Sequence, residues 1–174
     1  MFVVNFFGPP GVGKSSCSAG VFWKLKMKNV ESELVTEYAK AMVWAERKKA
    51  LEDTLYLFAK QNHTLEILRN NKITFAISDS PLLLSLIYMP KKFYKNFEPL
   101  ALEVFHTYNN INFLLTPDPK NPYSEIGRLQ NKQESQKIGE MIVELLEKNN
   151  IQYKRIVADD RVVDAVLSEL PIQI

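Results

Sequence analysis

The sequence predicts an α/β domain: a five-stranded parallel sheet, in strand order 2-3-1-4-5, with helices on both faces. Three observations predict it. Short apolar or β-branched runs (2–7, 73–77, 111–115) alternate with stretches that carry apolar residues at helical spacing. The connections between them are short, and such alternation closes into a parallel sheet covered on both sides. The first run also ends in Gly8-Pro9-Pro10-Gly11-Val12-Gly13-Lys14-Ser15. This is a complete G-x-x-x-x-G-K-[ST] phosphate loop, in which a buried strand must turn tightly into a helix.

In chain order, 2–7 is the first strand and a helix follows the loop from 14 to about 28. The short second strand, 33–36, runs into Glu37-Tyr38. Two helices are expected over 39–49 and 51–70, the second with Leu51, Leu55, Phe58, Leu65 and Leu68 on one stripe. The third strand, 73–77, ends in Ser78-Asp79-Ser80-Pro81, and a partly irregular helical stretch leads to about Tyr108. After the fourth strand, 111–115, the segment 116–132 holds Pro117, Pro119, Pro122 and Gly127 and reads as an exposed lid loop. An amphipathic helix then places Ile138, Met141, Ile142, Leu145 and Leu146 on one face until Asn149-Asn150 stops it. The fifth strand, 153–157, and a closing helix, 161–170, complete the chain. Neither repeats nor an interdomain linker interrupt it, so residues 1–174 are expected to form one domain.

With 174 residues the chain can bury roughly two-thirds of its unfolded surface. The single cysteine, Cys17, excludes an intramolecular disulfide and fits a reducing cytoplasm. The N-terminal apolar run lacks a basic leader and reads as a strand rather than a signal peptide, and no stretch is long enough to span a membrane. A net charge of +2 does not by itself announce a nucleic-acid partner. The basic residues are nevertheless clustered, at Lys24/Lys26/Lys28, Arg47/Lys48/Lys49 and Lys91/Lys92/Lys95; such clusters are ordinarily solvated faces.

The loop carries the chemistry. Glycines at 8, 11 and 13 allow backbone N–H groups to close around a phosphate chain, and Pro9-Pro10 stiffen its first half. Lys14 can reach the β- and γ-phosphates, and the Ser15 hydroxyl is placed to ligate Mg²⁺. Gly8 through Ser16 are therefore the expected ATP contacts. Asp79 falls at the carboxyl end of the third strand, where open parallel sheets bind ligands. It can serve as general base or as a Mg²⁺ partner; capping the next helix is the structural alternative. Glu37 ends the second strand on the same rim and suits a base or a hydrogen bond to a substrate hydroxyl. Arg128, in the lid, can cover transferring phosphoryl charge. Gln61 and Asn62 could satisfy a base edge, and Tyr38, Trp44 and Tyr56 could stack on a base; internal hydrogen bonds and core packing are the alternatives. His63 and His106 lack neighbours at zinc-ligand spacing. The absence of an N-K-x-D signature disfavours a GTPase, and the lid suits an enzyme that must keep water from the transferred group.

The strings Leu34-Val35-Thr36-Glu37-Tyr38-Ala39-Lys40, Ala59-Lys60-Gln61-Asn62 and Ser78-Asp79-Ser80-Pro81-Leu82-Leu83-Leu84, with Trp44, carry a resemblance. It covers nearly the whole chain. The sequence resembles small phage-type P-loop kinases and AAA-like ATPases, including 5-hydroxymethyluracil DNA kinases, and is more distantly similar to ribosylnicotinamide kinase domains. That resemblance implies an ATP- and Mg²⁺-dependent transfer to a nucleobase or nucleoside hydroxyl, with 5-hydroxymethyluracil in DNA as the leading acceptor. It places ATP at Gly11, Gly13, Lys14 and Ser15, the catalytic carboxylate at Asp79, and acceptor contacts near Glu37 and Gln61. If the protein is phage-encoded, the compartment implied is the host cytoplasm. A free nucleoside or ribosylnicotinamide-type acceptor, and a nucleotide-switched ATPase with no hydroxyl acceptor, are the other readings.

Overall fold

The computed structural model describes residues 1–38, 53–120 and 131–172. Within them the elements run β1 (Phe2–Phe7), α1 (Lys14–Met27), β2 (Ser32–Val35), α2 (Thr54–Asn70), β3 (Phe75–Ser78), α3 (Leu84–Tyr88), α4 (Phe97–His106), β4 (Asn109–Thr116), α5 (Lys132–Lys148), β5 (Lys154–Val157) and α6 (Val162–Leu167). The sheet is parallel with the order β2-β3-β1-β4-β5, as the sequence predicts. The expected helix at 39–49 and most of the lid lie outside the described residues. No described helix is long and apolar enough to cross a membrane.

Central β1 shows why the sheet is covered twice. Val3 and Phe7 project into one cluster with Phe58, Leu83, Phe97 and Ile142, whereas Val4 and Phe6 project into the other with Val21, Leu25, Leu115 and Val166. All four of these β1 side chains are buried, and burial of this kind contributes on the order of 1.5–3 kcal/mol per residue. α1 and α6 cover the second face at close range: a Cβ on Gly20 would stand 2.7 Å from Val163 Cγ2. The edge strand β5 is mostly exposed, so its short apolar run does little for the core.

Four strands shift from the sequence expectation: β4 extends to Asn109–Thr116 and β5 starts at Lys154, and β2 and β3 move as well. β3 begins at Phe75 rather than at 73, because the chain leaves α2 through Lys72 at φ 59° and the Ile73 N–H still returns to the Leu68 carbonyl. β2 runs from Ser32 to Val35, so Thr36 already belongs to the connection toward Glu37.

One core feature escapes the hydrophobic pattern. Asn5, 2% exposed in the middle of β1, donates through its amide to Asn110 Oδ1 (2.9 Å) and Asn112 Oδ1 (3.0 Å) on β4. Asn110 in turn donates to the carbonyls of Phe105 and Tyr108, and Asn112 to that of Gln152. The asparagines tie β1, β4 and the chain before β5 in one register, since a slip would strand several polar groups at once. Asn5→Ala is expected to lower unfolding free energy in urea by about 1–3 kcal/mol, the usual range for orphaned buried partners. Unchanged stability would show that the network contributes nothing.

Candidate active site

At the end of β1 the backbone takes the shape that the glycines permit. Gly8 has φ 143°, and a Cβ on it would stand 2.7 Å from the Leu115 carbonyl oxygen, so no side chain fits. Gly13, at φ 101°, is the N-cap of α1, whose first turn holds no acidic residue. The partial positive charge of the helix terminus is thus left for an anion. The Lys14 ammonium donates to the carbonyls of Gly8 (2.9 Å) and Pro9 (3.1 Å), which draws it back over its own loop. Ser15 and Ser16 are exposed at the start of α1. Cys17, just behind them, is buried, and burial pushes its thiol up to about 12; it packs as an apolar residue rather than reacting.

The sheet register brings a carboxylate to this loop. Ser78 pairs with Asn5 on β1 and with Val35 on β2, so Asp79 stands level with Phe6, two residues before Gly8. Its backbone N–H donates to the Val35 carbonyl at 3.3 Å. The side chain is only 5% exposed, and its buried Oδ1 has no hydrogen-bond partner. Nor does it cap the next helix, since the N-cap of α3 is Leu83. A buried carboxylate oxygen left without a donor costs at least ~1–3 kcal/mol, and such groups call for a ligand.

On the β2 side of Asp79 lies a narrow pocket of about 90 Å³, lined among others by Glu37, Tyr38, Phe58, Gln61, Pro81 and Tyr88. The sequence thus predicts three of its walls. Gln61, 7% exposed, donates from Nε2 to the carbonyl of Ser80, next to Asp79. Among the described residues nothing donates to its own carbonyl oxygen, which leaves an acceptor for a ligand N–H. The Tyr38 and Tyr56 hydroxyls meet at 3.1 Å and their rings pack edge-on. Asn62 does not join them. One helical position on from Gln61, it takes a hydrogen bond of 2.7 Å from Tyr108, whose hydroxyl also lies 2.9 Å from Glu66 Oε1. Burial, then Glu66, raises the Tyr108 hydroxyl well above its ordinary range. Trp44 and Arg128 lie outside the described residues.

A larger cleft of about 1250 Å³ opens at the loop itself, between Pro9, Gly13, Thr116, Gly139, Arg155 and Ala158. Here the structure shows a contact that sequence reasoning missed. The buried Ser135 hydroxyl, in the first turn of α5, donates to the Pro10 carbonyl at 2.7 Å, and a Cβ on Gly139 would stand 3.4 Å from Pro9. The helix that follows the lid therefore rests directly on the phosphate loop. The Asn131/Glu134 capping box fixes where that helix starts. A bond across 125 residues has no local sequence signal.

The donor set suits a hard cation bound through phosphates. Among the described residues no three His, Cys, Asp or Glu side chains gather as a metal site. One buried carboxylate and one hydroxyl beside a phosphate loop match Mg²⁺, which commonly keeps its waters and takes one or two carboxylates.

Among solved structures, deoxyadenosine kinase from M. mycoides, determined with bound dCTP, superposes with a TM-score of 0.60 at 15% identity, covering 96% of this chain and 97% of that one. At that identity the likeness is one of fold. Shikimate kinase from Bacteroides thetaiotaomicron aligns with a TM-score of 0.45 at 15% identity, over 96% of this chain and 94% of that one. No curated protein matches the chain. A family model described as an AAA domain matches residues 3–161, from β1 through the phosphate loop to the turn after β5. The chain belongs to this AAA domain family.

Proposed function

We propose that the chain is an ATP-dependent kinase that moves the γ-phosphoryl group of ATP to a hydroxyl of a nucleobase or nucleoside. The observation that carries this reading is the buried, unpartnered Asp79 oxygen, set by register between the phosphate loop and the pocket of Glu37 and Gln61. An ATPase that only hydrolyses needs no second pocket on the far side of that carboxylate. The M. mycoides protein of like fold is a deoxyadenosine kinase, in keeping with a nucleoside-type acceptor.

In this reading the large cleft takes the base and sugar of ATP, and the loop N–H groups and Lys14 take its phosphates. Ser15 and Asp79 would hold Mg²⁺, which when bound offsets the charge that gathers on the transferring group. Glu37, which lines the pocket as Asp79 does not, receives the acceptor hydroxyl's proton. The oxygen–phosphorus bond to the acceptor forms as the bond to the leaving diphosphate breaks. Gln61 holds the acceptor by a base edge, Tyr38 by its ring, and Arg128 would cover phosphoryl charge from the lid. As the acceptor we take 5-hydroxymethyluracil in DNA, on the resemblance of the Thr36-Glu37-Tyr38 and Ser78-Asp79-Ser80-Pro81 strings. The pocket's small size requires that the base be turned out of its stack. That same size favours, as a second reading, a free nucleoside.

Incubation with γ-labelled ATP and a panel of hydroxymethylated DNA, unmodified DNA and nucleosides tests the proposal. Label should enter hydroxymethylated DNA alone among the DNAs, with little hydrolysis until acceptor is added. Brisk acceptor-independent hydrolysis, with no labelled product, would make the protein an ATPase. Lys14→Ala should fold normally and lose transfer by on the order of 10²-fold or more; a well-folded variant with undiminished turnover would take the loop out of the chemistry. Glu37→Gln should lower kcat by roughly 10²–10⁴-fold at nearly constant KM for ATP. If kcat holds and only acceptor KM rises, Glu37 binds the acceptor but does not take its proton.

A further inference from the structure

Beside the acceptor pocket the chain carries a charged and aromatic surface that the transfer chemistry does not use. Between Ser80 and Asn96 there is no Asp or Glu, yet Lys91, Lys92 and Lys95 all lie there, exposed. Elsewhere Lys24, Lys26, Lys148 and Lys154 each pair with a carboxylate. Among the described residues these three lysines have no such partner. Tyr94, amid them, is 68% exposed, a large ring left mostly in water among the described residues.

The ring is not loosely placed. Tyr94 packs edge-on against Phe93 at 4.9 Å, Phe93 against Phe97 at 4.9 Å, and Phe97 against Phe58 at 5.4 Å. Phe58 is a wall of the acceptor pocket, and Tyr88, at the start of the same segment, is another. An edge-to-face series of rings therefore anchors the exposed aromatic to a wall of the pocket, and its lysines follow in the segment that starts at the pocket residue Tyr88. Fixed aromatic faces interleaved with unpaired cations are what a single-stranded polynucleotide recognises, through base stacking and phosphate contacts.

We propose that residues 88–95 form a track for single-stranded DNA leading into the acceptor pocket. Tyr94 stacks on a base flanking the acceptor, and Lys91, Lys92 and Lys95 contact the phosphates. The inference rests on the nucleobase-kinase reading and extends it from the acceptor base to its neighbours on the strand.

The test measures binding of a short single-stranded oligonucleotide containing one 5-hydroxymethyluracil, by fluorescence anisotropy across a NaCl series. Replacing Lys91, Lys92 and Lys95 together by Gln should make the slope of log K against log salt shallower by about 2, at roughly 0.7 per phosphate contact. Tyr94→Ala should weaken binding about tenfold, and Tyr94→Phe, which keeps the ring, should bind as the parent does. Melting temperatures should match the parent, since all four side chains are exposed. Variants that keep the parental slope and affinity would overturn the track. Transfer to free hydroxymethyl nucleosides without oligonucleotide binding would also overturn it, leaving the kinase reading intact. Oligonucleotide binding that depends on Tyr94 and the lysines, with no transfer to any acceptor, would support the track and remove the kinase reading.

Discussion

The site depends on one uncompensated group, the Asp79 carboxylate. It is buried at the end of β3, one of its oxygens takes no hydrogen bond, and it is not needed to cap a helix. Among the described residues no donor meets its Oδ1, so that oxygen's burial runs against stability and must be held by the rest of the fold. Two strand pairings hold it. Ser78, immediately before it, is paired to Asn5 on β1 and to Val35 on β2, which fixes the backbone from which Asp79 projects. A group retained at such a cost marks a place where a ligand completes the structure.

The elements around that carboxylate gather groups that can hold an anion. The phosphate loop presents backbone donors and a helix terminus, with Gly8 too tightly set against Leu115 to carry a side chain. Lys14 hydrogen-bonds the loop's own carbonyls, so its charge stays at the loop. Through Ser135 and Gly139 the helix that starts at Lys132 touches Pro10 and Pro9, so this helix and the phosphate loop are joined without passing through the sheet. A large cleft opens at the loop itself and a narrow pocket beyond the end of β3, an arrangement that suits the two-substrate transfer proposed above.

Much of this was legible in the residues. β1 matched its expected span because an apolar run meeting a glycine loop admits one ending. Asp79 and Glu37 follow β3 and β2 because parallel strands bring their carboxyl ends to one rim, which depends on topology, whereas Gln61 reaches that rim from α2 through its bond to the Ser80 carbonyl. Legibility failed where partners are distant in sequence. Adjacent Gln61 and Asn62 look alike on paper, but they point about 100° apart on a helix, and Tyr108, 46 residues later, claims Asn62. The Asn5 network was hidden for the same reason, since its partners lie on β4. The start of β3 was misjudged because β-branched Ile73 and Thr74 fit a strand locally while the turn through Lys72 uses them to leave α2.

The most direct test of the central claim is the melting temperature of Asp79→Asn beside the parent, each with and without ATP and Mg²⁺. Removing an uncompensated buried charge should leave the ligand-free variant as stable as the parent or more so, while most of the stabilisation by ATP with Mg²⁺ disappears. A ligand-free variant that melts several degrees lower, yet gains as much from ATP and Mg²⁺ as the parent, would contradict the account and make Asp79 a structural residue.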